Sequence, residues 1–414
     1  MNILLLIPIL VCITGVYLLF KIKFFFLNPK RFSKEVGGLL GKEGAVGNLS
    51  LALAGTLGVG NVIGVSAGIL VGGAGSVFWL IVSAIPAAAI KYAESSLARD
   101  SQGAGVITSS RAAFPRLGKI LSPIYALFAV LLAFFMGAGL QSASLTSVIS
   151  SLLPVSRITL GIALAVVTLP FIFFGAKIAK GAAALFVFAA SAIYIFISLY
   201  LIILNRENLP SAVHAIFKGA FTGRGVLGGF LGTFTSLAFR EGFLRGILSN
   251  EAGLGTSAFA HDESAGYTPH GAGVVGILEV YADTLVLCPL TALVLLTATD
   301  SDNLGAVDFV LSAISKGGAV FEYLFAVSLF FFAFCTVICW GCYGKVICGT
   351  SHPAFLKIFT VTFPVSVIFG ALFGAEFFIV ATDLVMLPLA VISLLTVIKS
   401  SDRVKTLSES DKLK

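Results

Sequence analysis

Long apolar runs separated by short polar joints fill the chain. Divided at glycine, proline and charged positions, they number about eleven, near 3–27, 48–71, 74–98, 119–150, 157–175, 181–204, 226–260, 272–298, 320–346, 353–373 and 375–398. A helix crosses a bilayer in about twenty residues, so each run predicts a membrane-spanning helix and the chain predicts an all-α, polytopic membrane protein.

Two runs depart from the pattern. Ala52 to Leu70 reads ALAGTLGVGNVIGVSAGIL, with Gly55, Gly58, Gly60, Gly64 and Gly68 around Thr56 and Asn61. Glycine is poor material for an uninterrupted helix, and a break is expected near Gly58 to Gly60. A break at mid-depth strands backbone N–H and C=O groups at roughly several kcal/mol each, and a bound solute and a cation are partners that satisfy them. Small residues at i and i+4 equally serve close helix packing, and Gly60, Gly64 and Gly68 have that spacing. The second such run, Gly242 to Gly255, reads GFLRGILSNEAGLG, with Ser249, Asn250 and Glu251 at its centre. Interrupted spans in corresponding places of two halves point to an inverted-repeat transporter, five helices plus five, with its site between them.

Composition sharpens the class. The chain is 58% apolar and 11% charged with mean hydropathy +1.04, against about 25% charged residues in soluble domains. Met1 to Phe26 ends in a basic cluster without a small-residue cleavage site and is expected to be a retained leading span, not a signal peptide. The net charge of +7 sits largely in loops and tail, which points to topology rather than to nucleic acid. Lys30, Arg31, Lys34 and Lys42 follow the first run, Arg99, Arg111, Arg116 and Lys119 the third, Lys177 and Lys180 the fifth, and Lys399, Arg403, Lys405, Lys412 and Lys414 fill the tail. Eleven spans put all of these on one side, expected to be the cytoplasm, with the N-terminus outside. Cys12, Cys288, Cys335, Cys339, Cys342 and Cys348 lack the paired spacing of a zinc site and are expected to pack.

GTLGVGNVIGV (Gly55 to Val65), GGAGSVFW with KYAES (Gly72 to Trp79, Lys91 to Ser95) and RGILSNEAGLG (Arg245 to Gly255) resemble the alanine or glycine:cation symporter family, over roughly residues 45–395. The resemblance implies a leucine-transporter-type core with one extra N-terminal helix. Residues 1–414 then form one transmembrane domain: leading helix 3–27, first repeat 48–204, second repeat 226–398 and cytoplasmic tail 399–414. It further implies symport of glycine or alanine, in either enantiomer, with sodium across the cell (inner) membrane. No cofactor is expected beyond that coupling ion.

A zwitterion at mid-membrane needs partners for both charged ends, and broken-helix termini supply them from the backbone. Gly58, Gly60 and Asn61 at the first break, and Gly246, Ile247 and Leu248 near the second, are the candidates. Gln141 lies in the very apolar fourth run; by itself it fits either an interhelical bond or a ligand, and the resemblance implies a ligand. Thr336 and Trp340, at i and i+4 in FAFCTVICWGCYG, fit packing as well as a site. The resemblance implies that both meet the substrate, with the indole as a lid and Ile247 opposite, leaving room for a methyl group and little more. A hard cation prefers oxygen, expected here from the carbonyls of Leu57 and Gly60 and the hydroxyl of Thr336. Ala138 and Ala143 stand where similar sequences carry asparagine, and Cys335 where they often carry a hydroxyl, so a proton is the alternative coupling ion. Between Arg99 and Lys119 the family's longer glycine-rich loop is shortened.

Charges at membrane depth are functional candidates by default: Glu94 with Lys91, Glu279 with Asp283, Asp383, and the Arg240, Glu241, Arg245 group. Glu251 is expected to brace the broken helix. No G-x-x-x-x-G-K-[ST] or HExxH string occurs, and His214, His261, His270 and His352 fall in loops or at span ends. Nucleotide-driven transport and a membrane-embedded enzyme are therefore disfavoured. A sensor that binds an amino acid without moving it is the other rival. Nothing in the sequence sets the oligomeric state.

Overall fold

The computed structural model describes residues 3–40, 45–101, 104–174, 176–221, 236–256, 258–262, 268–298, 304–350 and 353–410, and no strand occurs among them. The helices are α1 (Leu6–Lys21), α2 (Pro29–Leu40), α3 (Ala45–Thr56), α4 (Val65–Gly72), α5 (Gly75–Ser101), α6 (Val106–Ala113), α7 (Gly118–Leu132), α8 (Gln141–Leu152), α9 (Arg157–Phe174), α10 (Ala176–Leu204), α11 (Leu209–Phe221), α12 (Leu237–Asn250), α13 (Ala258–Asp262), α14 (Pro269–Val280), α15 (Cys288–Ala298), α16 (Ala306–Ile314), α17 (Ala319–Gly349), α18 (Pro353–Gly370), α19 (Ala375–Lys399) and α20 (Ser401–Ser410). π-Helical segments at Gly60–Gly64, Ala133–Leu140 and Tyr281–Leu287 lead into α4, α8 and α15.

Among the described residues eight helices have the length and apolarity to cross a membrane: α5, joined α7 and α8, α9, Gly181–Leu204 within α10, joined α14 and α15, α17, α18 and α19. Leu6–Lys21 and Gly60–Gly72 are apolar but shorter. The expected runs fall on these eight, on α1 and on the two interrupted helices.

Small residues decide which helices lie innermost. The most apolar stretch of α5 is 78% buried and that of α17 72%, against 28% for α9 and α18. Gly242 and Gly246 of α12 rest on Ser76, Trp79 and Ser83 of α5, and Gly273 and Gly276 of α14 rest on Tyr92, Ser95 and Ser96. A Cβ on Gly276 would fall 2.7 Å from Ser95 Oγ. Such close approach holds helices together where lipid gives no hydrophobic contrast. Along the outer flank α10 meets α17 through aromatic pairs, Phe186 stacking on Phe331 at 4.9 Å and Tyr200 on Phe321 at 4.1 Å.

The tail is docked. Tyr17 shares a hydrogen bond with Ser401 at 2.9 Å, Lys21 pairs with Asp402 at 2.6 Å, Lys23 with Glu409 at 2.8 Å, and Arg403 with Asp100 at 2.6 Å. The ends of α1 and α5 therefore share one face with α20, as the distribution of basic residues predicted. Lys42, His352, Lys412 and Lys414 lie outside the described residues, as do the side chains of Lys177, Lys180 and His261.

Candidate functional site

The first break falls where the glycines predicted it. α3 stops at Thr56, and Leu57, Gly58 and Val59 leave the helix before the π segment. The Gly58 N–H donates to Asn61 Oδ1 at 3.3 Å and the Val59 N–H to Gln141 Oε1 at 3.1 Å. Gln141 is itself held by its Nε2 on Met136 O at 3.2 Å. Thr336 Oγ1 faces the carbonyls of Ala54 and Leu57 at 3.4 and 3.5 Å. A Cβ on Gly58 would lie 2.7 Å from Thr336 Oγ1 and 3.2 Å from Gln141 Oε1, so glycine here lets both polar side chains approach the broken backbone.

Trp340 lies one turn further along α17 and is fully buried. It is seated on Gly137, where a Cβ would come within 2.5 Å of the ring. Its Nε1 has no hydrogen-bond partner among the described residues. Gly58, Gly60, Asn61, Gln141, Ile247, Thr336 and Trp340 are all buried. Leu248 borders the same break, its carbonyl 3.9 Å from where a Gly60 Cβ would stand.

The second break falls at the centre of the Gly242–Gly255 run, while Gly246, Ile247 and Leu248 lie within α12, which ends at Asn250. Gly246 is a packing glycine against α5, and the Ile247 carbonyl is occupied by the Glu251 N–H at 2.8 Å. Glu251 itself is left-handed, φ 58°, and Gly253 (88°) and Gly255 (72°) carry the chain onward. A left-handed non-glycine residue costs about 1–2 kcal/mol, and local hydrogen bonds hold this one. Thr256 Oγ1 donates to Glu251 Oε2 at 2.6 Å, and the Ala252 N–H donates to Asn250 Oδ1 at 2.9 Å.

A buried lysine and glutamate, one turn apart on α5, brace that break. Lys91 Nζ donates to the Asn250 carbonyl at 2.6 Å and pairs with Glu279 at 3.1 Å. Glu94 accepts from the Gly253 N–H at 3.2 Å and from Ser393 Oγ at 2.5 Å. A cation on the last carbonyl and a carboxylate on an orphan N–H are the partners interrupted helix ends require. On the other side of the breaks Arg245 pairs with Asp383 at 2.5 Å and with Glu241 at 3.2 Å, and Arg240 with Glu241 at 2.7 Å. Asp383 and Ser393 share α19, so the two ionic groups stand about 15 Å apart along it.

Asp283 ties the two breaks together. It accepts hydrogen bonds from Asn61 Nδ2, from Ser249 Oγ at 2.6 and 2.7 Å, and from Thr284 Oγ1 at 2.9 Å. Asn250 Nδ2 donates to Thr284 Oγ1 at 2.9 Å, and Thr291 Oγ1 to the Asn61 carbonyl at 2.9 Å. Sequence reasoning named Asp283 only by its depth and missed Thr284 and Thr291, which carry no pattern of their own in an apolar run. A groove of about 360 Å³ elsewhere, bordered by Pro123, Val130, Phe134 and Phe359, is almost wholly apolar. It lacks groups to orient a zwitterion.

Comparison with known proteins agrees with this architecture. The sodium:alanine symporter family profile matches residues 1–410. AgcS of Methanococcus maripaludis, a sodium/alanine symporter, is 30% identical over 344 residues, which cover 78% of this chain and 74% of AgcS. The amino-acid carrier protein AlsT of Bacillus subtilis is 29% identical over 407 residues, covering 92% and 84% respectively. Among solved structures, MhsT in complex with L-phenylalanine aligns with a TM-score of 0.57 at 11% identity over 88% of this chain and 97% of that one. That likeness is one of fold, the leucine-transporter type with its two interrupted helices. The chain is a multi-pass membrane protein and belongs to the sodium:alanine symporter family.

Proposed function

We propose that the protein is a secondary symporter that imports alanine or glycine with sodium by alternating access. The observation that carries this reading is the convergence of Gln141 Oε1, Thr336 Oγ1 and the N–H groups of the first break at the bare Gly58. The unpartnered Nε1 of Trp340 supports it. A buried donor without an acceptor costs about 1–3 kcal/mol, which a polar solute in the site would recover. Gly58, Gly60 and Asn61 take the substrate carboxylate, Gln141 and Thr336 fix its orientation, and Trp340 with Ile247 limits the side chain to a methyl group or hydrogen. The carbonyls of Leu57 and Gly60 with Thr336 Oγ1 take sodium. Gly246 keeps a packing role.

The basic residues put the face carrying α20 in the cytoplasm and the N-terminus outside, in the cell (inner) membrane. Residues 48–204 and 226–398 act as the two repeats that rock against each other. Kinship with carriers supports transport over covalent chemistry. The buried thiol of Cys335, next to Thr336, favours a proton as the second reading of the coupling ion.

Uptake of labelled alanine and glycine into proteoliposomes under an inward sodium gradient, a proton gradient or neither tests this. Sodium-driven accumulation is expected. Accumulation driven only by protons moves the coupling ion, and binding without accumulation replaces the symporter by a sensor.

A further inference from the structure

The apolar groove at Pro123, Val130, Phe134 and Phe359 lies between α7 and α18, with Ile347 and Cys348 of α17 at its back. Its back is buried, Ile347 to 1% and Phe359 to 2% exposure, whereas its rim faces outward, with Leu127, Phe355 and Ile358 each more than half exposed. The one hydroxyl in its lining, on Thr362, is spent on its own helix, donating to the Ile358 carbonyl at 2.9 Å. From Pro123 to Phe134 the wall rises about 16 Å, roughly half of a hydrocarbon core about 30 Å thick. The groove therefore runs through one leaflet.

Its mouth carries charge of one sign. Lys119 stands one turn before Pro123 on the face of α7 that continues through Ala126, Leu127 and Val130, and Arg116 lies just ahead of that helix. Arg116, Lys119, Arg111 on α6 and Lys357 on α18 are exposed, and none of them pairs with a carboxylate among the described residues. Lys345 is occupied by the carbonyls of Ile172 and Phe173 at 3.0 and 3.3 Å. Residues 101–125 and 345–363, which build both walls and the mouth, contain no aspartate or glutamate. The mouth opens on the face of α20, since Arg403 of α20 holds Asp100 at the end of α5, the helix that precedes α6 and α7. In the orientation proposed above this is the inner leaflet, whose anionic lipids attract basic residues at the membrane surface. An uncharged lipid leaves the cations unanswered, a soluble anion leaves the groove unfilled, and a second copy docked by this face in a two-fold pair sets like charges together.

We propose that the groove is a binding site for an anionic phospholipid of that leaflet. One acyl chain lies between α7 and α18, and the phosphate is held by Lys119 and Arg116. The chain rests on Phe134 and Phe359, whose rings are 5.6 Å apart. Phe134 belongs to the π segment Ala133–Leu140, which also holds Gly137, the seat of Trp340. The lipid thus backs the wall against which Trp340 packs.

The test is the thermal unfolding of the delipidated, detergent-purified protein titrated with phosphatidylglycerol, with phosphatidylcholine of the same acyl chains and with glycerol phosphate. Phosphatidylglycerol is expected to raise the unfolding temperature saturably, as a ligand of the native state does. Phosphatidylcholine should need several times the concentration for the same rise, and glycerol phosphate should have no effect. The Arg116→Ala, Lys119→Ala double variant is expected to raise the half-saturating phosphatidylglycerol roughly 30-fold. Leu127→Trp fills the groove from its exposed rim, keeps both cations and should abolish the lipid-dependent shift. Both variants replace exposed side chains, so the fold tolerates them, and neither touches the site at Gly58, so the result is independent of substrate and coupling ion. Equal shifts with the two phospholipids would overturn the proposal, as would variants that respond like wild type or a full shift with glycerol phosphate. A dimer seen by native mass spectrometry without lipid and lost in Leu127→Trp would assign the groove to a second copy of the chain instead.

Discussion

Gln141 reaches across 82 positions of sequence to accept the Val59 N–H at 3.1 Å. The bond satisfies a donor that the break of the first interrupted helix would otherwise strand. It also makes the shape of the break depend on a side chain from another helix. Replacing Gln141 by alanine leaves that donor unpaired, at a cost of about 1–3 kcal/mol. Alanine and glycine binding are both expected to weaken, roughly 5- to 150-fold. Scintillation-proximity binding of labelled alanine measures it, and unchanged affinity removes Gln141 from the site.

Trp340 sits on Gly137 with no side chain between them. Trp340→Ala is expected to let leucine and phenylalanine compete with labelled alanine, at a stability cost of about 3–5 kcal/mol for the lost indole. Trp340→Phe keeps most of the volume and removes the unpartnered Nε1, so it should weaken binding without widening selectivity. The competition profile of uptake separates the two effects. A profile identical to wild type in both variants sinks the lid assignment.

Lys91 and Glu279 form an ion pair with both side chains 0% exposed. Removing one partner strands a buried charge and costs about 3–5 kcal/mol, whereas removing both is far milder. Lys91→Met should therefore lower the unfolding temperature markedly, and the Lys91→Met, Glu279→Gln double variant should regain part of the loss. Recovery stays incomplete because Lys91 also holds the Asn250 carbonyl. A thermal-unfolding series in detergent decides, and a single variant as stable as wild type contradicts the brace.

The tail makes a prediction in pH. Lys21 holds the Asp402 carboxyl below the usual carboxylate range. A lowered folded value means that the pairing contributes fully above the ordinary carboxylate value of about 3.9. It is lost as pH falls through the lower folded value. The protection factor of residues 401–410 against hydrogen exchange should thus be constant from neutral to mildly acid pH and fall only in stronger acid. It should also fall at about 1 M salt, where the screening length shrinks to about 3 Å. Protection that survives both conditions would assign docking to the buried Val404 and Leu407 instead.

The membrane class and the place of the first break were legible in the residues themselves. Both are local properties. A twenty-residue apolar run has one low-energy solution in lipid, and glycines clustered near Gly58 cannot sustain it. The helical spacing of Thr336 and Trp340 was likewise readable, because one turn of α17 brings them to one face. The second break was legible only in outline. Gly246, which looked like part of it, is consumed in packing against α5, and the left-handed turn falls instead on Glu251, a residue no propensity would choose. Tertiary contacts decided this, since Lys91, Glu94 and Thr256, brought in from α5 and from beyond the break, offer partners to the groups it exposes. The link from Asn61 through Asp283 to Ser249 depended on the fold in the same way. Residues so far apart in the chain meet only when both interrupted helices pack around α14 and α15, and local sequence cannot encode which buried carboxylate will stand at that junction.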